Sequence, residues 1–221
     1  MSENHVPAAL FDAVKRDLRP VRPLASPARR ALALLPIGLV LLIGMPLFWA
    51  SRTSIVLASW PSWIVSALES VLSLVVLAAG LREAVPGREL STRAVTWLAG
   101  AACVGFLAIN ATTYLPEGVP AATWARWVWE CIAMTIVFSI PALLAPAWLV
   151  SRALPNRPAL TGMLCGLGIG LMADAGLRLF CWDGGYVHIV IAHGGAIAIL
   201  VLLGALSATF VERMKVRRTA P

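Results

Sequence analysis

Charge is scarce in this chain. Asp, Glu, Lys and Arg make up 13% of its 221 residues, about half the roughly 25% of an ordinary soluble domain, so a water-facing surface over most of the length is excluded. Acids are scarcer than bases, 11 against 18, and histidine occurs three times. There is no glycine-rich phosphate loop, no GxSxG, no HExxH and no CxxC. Their absence removes the usual sequence grounds for nucleotide chemistry, serine hydrolysis, zinc proteolysis and thioredoxin-like turnover. No two carboxylates are placed together for paired acid–base work. The sequence predicts a protein that is not an enzyme.

What the chain has instead is apolar length. With 59% hydrophobic residues, it carries six blocks at about 31–50, 62–81, 94–111, 128–150, 159–180 and 188–210. Each approaches the roughly 20 residues that carry a helix across about 30 Å of hydrocarbon. Continuous rather than alternating apolarity argues for helices and against barrel strands. The first block follows about thirty polar and basic residues and no small-residue cleavage site follows it, so it reads as a retained span. The prediction is an all-α polytopic membrane protein, a bundle of six transmembrane helices with short loops. Residues 1–28 form an arm, 29–211 the membrane domain and 212–221 a basic tail.

Basic residues set the orientation. Lys15, Arg16, Arg19, Arg22, Arg29 and Arg30 precede the first block; Arg82, Arg88 and Arg93 follow the second; Arg152 and Arg157 follow the fourth; Arg213, Lys215, Arg217 and Arg218 end the chain. By the positive-inside rule both termini are cytoplasmic. The net charge of +7 is thus a topology signal, and direct nucleic-acid binding is not expected. Trp49, Trp60, Trp63, Tyr114, Trp124, Trp127, Trp129, Trp182 and Tyr186 fall near the outer interface, against Trp97 and Trp148 near the inner one, as interfacial belts do.

Polar residues inside the spans are few and therefore informative. The segment RLFCWDGGYVH, 178–188, lies at the outer turn. Counting along the helices puts Cys131 and Cys181 at similar depth, within about two turns of the outer surface. Three readings of that pair stand open: plain packing, a thiol pair facing an oxidising compartment, and a site for a soft or borderline metal with Glu130, Asp183, His188 and His193 as support or ligands. Asp174 and Arg178 are four apart and share a helix face. Glu69 has no partner visible from the sequence. Cys103 and Cys165 read as small apolar filler. Gly162, Gly166 and Gly170 form small-xxx-small repeats for close helix approach, and Pro36, Pro46, Pro141 and Pro146 are candidate kinks in the first and fourth spans. In the arm, Leu10, Phe11, Val14 and Leu18 make one stripe of an amphipathic helix ended by Pro20, suited to the inner leaflet or to a partner's groove.

Five stretches taken together carry a resemblance: DLRPVRPL at 17–24, LREAVPGREL at 81–90, WEC at 129–131, RPALTGMLCGLGIG at 157–170 and LFCWDGGYVHIVIAHG at 179–194. In order and spacing they resemble the NrsF-type anti-sigma factors, six-span proteins of the bacterial inner membrane. The resemblance implies sequestration of an extracytoplasmic-function sigma factor and its release under heavy-metal or oxidative stress. It implies that Cys131 and Cys181 do the sensing, with transient heavy-metal binding and no resident cofactor. The sigma contact falls on the arm, at Leu10, Phe11, Val14, Asp17, Leu18, Pro20 and Val21. The other partner is the lipid bilayer. Two alternatives compete: a small transporter or channel using Glu69, Asp174 and Arg178, and a membrane thiol oxidoreductase.

Overall fold

The computed structural model describes residues 8–17, 24–51, 60–112, 121–181 and 185–219. Leu18, Pro20, Val21, Tyr114, Trp182 and Asp183 lie outside the described residues. The arm contributes α1, Ala8–Asp17. Six helices long and apolar enough to span a membrane follow: α2 over Pro27–Ala50, α3 over Trp60–Glu83, α4 over Thr92–Thr112, α5 over Ala121–Ser151, α6 over Pro158–Leu177 and α7 from Tyr186. No strand occurs among the described residues.

The helices outlast the apolar blocks furthest at two ends. α5 starts at Ala121, ahead of the run at 128, and α7 continues to Thr219 through the segment read as a tail. Arg, Glu, Met and Lys are good helix formers, so VERMKVRR prolongs the helix where apolarity has ended. α2 is the irregular one. It turns at Ala33–Leu34, resumes with Pro36 in its first turn, and is π-helical over Val40–Gly44 before Pro46. Proline lacks the N–H and clashes with the carbonyl four residues back, so the backbone yields on the N-terminal side of both prolines. Pro141 and Pro146 stay inside continuous α5.

α6 is the axis of the bundle. Of its apolar window 83% is buried, against 11% for α4 and 39% for α3. A helix apolar all round belongs in a core, and α6 gets there through glycine. A methyl at Gly162 would collide with the Gly204 carbonyl of α7, one at Gly166 with the Leu200 carbonyl, and one at Gly176 with the Leu41 carbonyl of α2. The glycine repeats of the sequence are thus contact surfaces where backbones touch. The intrinsic cost of glycine in a helix, about 1 kcal/mol each, is offset by packing that larger residues would forbid.

At the end carrying both termini, side chains lace the helices together. Arg30, at the root of the arm and 6% exposed, donates to the Leu81 carbonyl of α3 at 3.3 Å and to the Leu149 carbonyl of α5 at 2.5 Å. Buried Glu83 accepts from the Leu90 N–H at 2.8 Å and pairs with Arg157 at 2.6 Å, tying the α3–α4 turn to the start of α6. That turn contains Gly87 at φ +77°, the left-handed region open to glycine. Backbone N–H groups and the Asn156 amide hold the Glu89 carboxyl there below the usual carboxylate range.

Candidate functional site

The opposite end of the bundle holds the thiols. α5 presents Cys131, and the turn that follows α6 presents Cys181. Their sulfurs are 3.8 Å apart, so the shared depth read from the sequence becomes contact. Neither is joined in a disulfide. His188 brings Nε2 to 3.5 Å from the Cys181 sulfur, and the His188 and His193 rings meet edge-to-face at 5.7 Å. One ligand atom from each of Cys131, Cys181, His188 and His193 lies within 4.8 Å of the other three. His188 and His193, read from the sequence as support or ligands at the outer turn, are each only 1% exposed, because α7 turns this face against α5 and α6.

The backbone explains how two histidines five residues apart share a face. Five residues advance an α-helix by about 500°, leaving such a pair about 140° out of line. Over Ile189–His193, however, α7 is π-helical, with bonds running i→i+5. Residues five apart then stack, and His188 and His193 converge on the cysteines.

Behind the histidines lies a buried polar chain. Asp174 Oδ1 accepts from His193 Nδ1 at 2.6 Å, and Asp174 Oδ2 pairs with Arg178 Nη2, the i,i+4 pairing read from the sequence. Arg178 Nη1 donates to Asn110 Oδ1 of α4 at 2.6 Å, while the Asn110 amide donates to the Phe106 carbonyl at 2.7 Å. The partner that Glu69 lacked in the sequence is again Arg178, whose Nε lies 3.5 Å from Glu69 Oε2. Desolvated charges persist only when paired, and here one guanidinium serves two carboxylates. Asn110 was missed. It is the one amide side chain in six apolar blocks, a signal strong enough to have found it.

Glu130 stands beside Cys131 and lines, with Trp49, Met134, Phe180 and both cysteines, a cavity of about 400 Å³. It is not among the four converging ligand atoms. Cys103 is exposed on α4, and Cys165 is buried in the core beside Gly80, far along the chain from this site. On α1, Leu10, Phe11 and Val14 are exposed, each by more than half, leaving the apolar stripe of the arm uncovered; Asp17 is the last residue of that helix.

Six spanning-length helices around a buried thiol–imidazole site define a polytopic helical membrane protein whose polar residues converge at one end. Residues 15–213, all but the first 14 and last 8, match the family model of NrsF, negative regulator of sigma F. The chain belongs to that family, and its partner is accordingly a sigma factor. No curated protein and no solved structure matches it.

Proposed function

We propose that this protein is an inner-membrane anti-sigma factor, with both termini cytoplasmic, that holds an extracytoplasmic-function sigma factor through its arm and releases it when metal or oxidant reaches Cys131 and Cys181. One observation carries the sensing half of this reading: two thiols outside any disulfide, one on α5 and one in the turn after α6, lie 3.8 Å apart at the end of the bundle remote from the arm. A soft cation can bridge them. An oxidant can also join them, taking two electrons as the S–S bond forms and two protons leave. Either event ties α5 to the turn after α6, and a bundle with two arrangements converts such a tie into a population shift. Moving an equilibrium from 1:99 to 99:1 takes about 5.5 kcal/mol, of the order that one cross-link supplies.

The exposed stripe of Leu10, Phe11 and Val14 supports the arm as the sigma contact, since an uncovered amphipathic face fits a partner's groove. Transport gains less support. Glu69, Asp174 and Arg178 bond to one another, and the cavity nearby is lined by the thiols and aromatic side chains instead.

Co-purification tests the reading. The tagged chain, taken from its native membrane in mild detergent with and without residues 1–28, should bring down a sigma factor only when the arm is present. Addition of cadmium or an oxidant should release it from the wild type and leave it bound to a Cys131→Ser, Cys181→Ser variant. Normal release from that double variant would sink the sensing assignment.

A further inference from the structure

Four donors converge in the core of the thiol site, all within 4.8 Å of one another and so close enough for one ion to gather. Tetrahedral angles with metal–sulfur bonds near 2.3 Å and metal–nitrogen bonds near 2.05 Å place sulfur about 3.8 Å from sulfur and about 3.5–3.6 Å from nitrogen. The two cysteine sulfurs stand at 3.8 Å, and Cys181 sulfur to His188 Nε2 at 3.5 Å. Both distances also suit thiol contacts and S–H···N bonding, so what marks the site is that four such donors from three segments gather at one point. The remaining donor is His193, 1% exposed, whose Nδ1 is engaged by Asp174 and whose ring also reaches the Cys181 thiol. A carboxylate on one imidazole nitrogen fixes the tautomer and leaves the other lone pair for a metal.

We infer that Cys131, Cys181, His188 and His193 form a closed, four-ligand site for one borderline divalent cation of the zinc class, and that Asp174 is its positioning residue. This deepens the sensing role proposed above and depends on it only for its biological meaning. Charge argues for the cation class. Coordination releases two thiol protons to solvent, so two thiolates and a divalent ion sum to zero, the state of lowest cost where water is excluded. Calcium and magnesium want oxygen donors and six or more ligands, which this site does not offer. Thiolate with imidazole in a tetrahedral set selects zinc, cadmium and cobalt(II).

Asp174 touches no metal in this scheme. It holds the His193 ring while Arg178, anchored by Asn110, holds Asp174 in turn. The sphere therefore draws its ligands from α5, α7 and the turn after α6, and its support reaches α4.

The test uses the full chain in detergent, reduced, stripped with chelator and titrated with cobalt(II), then with zinc as competitor; no sigma factor is present. Expected is one cobalt per chain with the intense d–d bands of tetrahedral coordination and a thiolate-to-metal charge-transfer band, all lost on zinc addition. His188→Gln and Cys181→Ser should abolish the tetrahedral spectrum. Asp174→Asn should keep one cobalt per chain and the same band shape with affinity lowered about 10–100-fold. No binding by the wild type, or the weak spectrum of octahedral cobalt, overturns the site whatever the variants do. Wild-type affinity in a folded Asp174→Asn protein overturns the positioning role. Loss of sigma co-purification beside intact cobalt binding would instead count against the regulatory reading and leave the metal site standing.

Discussion

Arg178 holds partners from three helices: Asp174 on α6, Asn110 on α4 and Glu69 on α3. Its side chain is 5% exposed, so removing the guanidinium strands two carboxylates without water. Arg178→Gln should cost about 3–5 kcal/mol, the range for breaking a buried pair from one side. Glu69→Gln gives up the 3.5 Å charge contact with Arg178 but keeps a side chain that can hydrogen-bond Asp174, and should cost less than half as much. Thermal unfolding in detergent followed by circular dichroism compares the two; equal losses would mean that Arg178 holds the cluster no more firmly than Glu69 does. The site was half legible in the sequence for a physical reason. Depth along a helix is readable from the chain, so Cys131 and Cys181 could be matched, and an i,i+4 rule joins Asp174 to Arg178 without coordinates. His188 and His193 are off-phase on any regular helix, and only the π-helical stretch joins them. Asn110 was visible as an amide in an apolar run, and its partner was not.

At the scale of helices, contact is decided by which positions have no side chain. Gly176→Ala would drive a methyl into the Leu41 carbonyl, whereas a methyl at Gly195 meets nothing within 4 Å. The first substitution should destabilise by about 1–3 kcal/mol, as overpacking does. The second should be neutral or stabilising, since alanine is the better helix former. Parallel melting of the two variants checks this, and a harmless Gly176→Ala would mean that α2 is free to shift away from α6. Span number and approximate limits could be read from apolar length because the bilayer sets that length. The helix ends could not, since α5 and α7 continue through residues that favour helix and are not apolar. Nor did periodicity show that α6 is the axis: its glycines marked close approach, and only the packed bundle shows that approach on α2, α3 and α7 alike.

For the molecule as a whole, the arm and the thiol site lie at opposite ends, so any regulation has to pass through the bundle. Deleting residues 1–28 should abolish sigma-factor capture while leaving the six-helix domain folded, because no long-range polar contact of the described bundle begins before Arg30. Capture by pull-down and unfolding temperature in the same detergent separate the two effects. Arg30→Lys keeps the charge and loses the fork, and one ammonium serves two diverging carbonyls poorly; weakened capture with helicity unchanged is the expected outcome in the same pull-down, and undiminished capture would remove Arg30 from the signalling route. On the proposed reading, the double grip of Arg30 would also filter which helix motions reach the arm. Since one carbonyl comes from α3 and the other from α5, the two helices moving in unison, as when the surrounding bilayer thickens or thins, leave the root of the arm undisturbed. Only axial slip of one against the other, by about an ångström, stretches a hydrogen bond past its working range. An arm rooted this way would respond to a difference and reject the common mode, keeping a membrane-embedded detector quiet through ordinary fluctuations of its lipid.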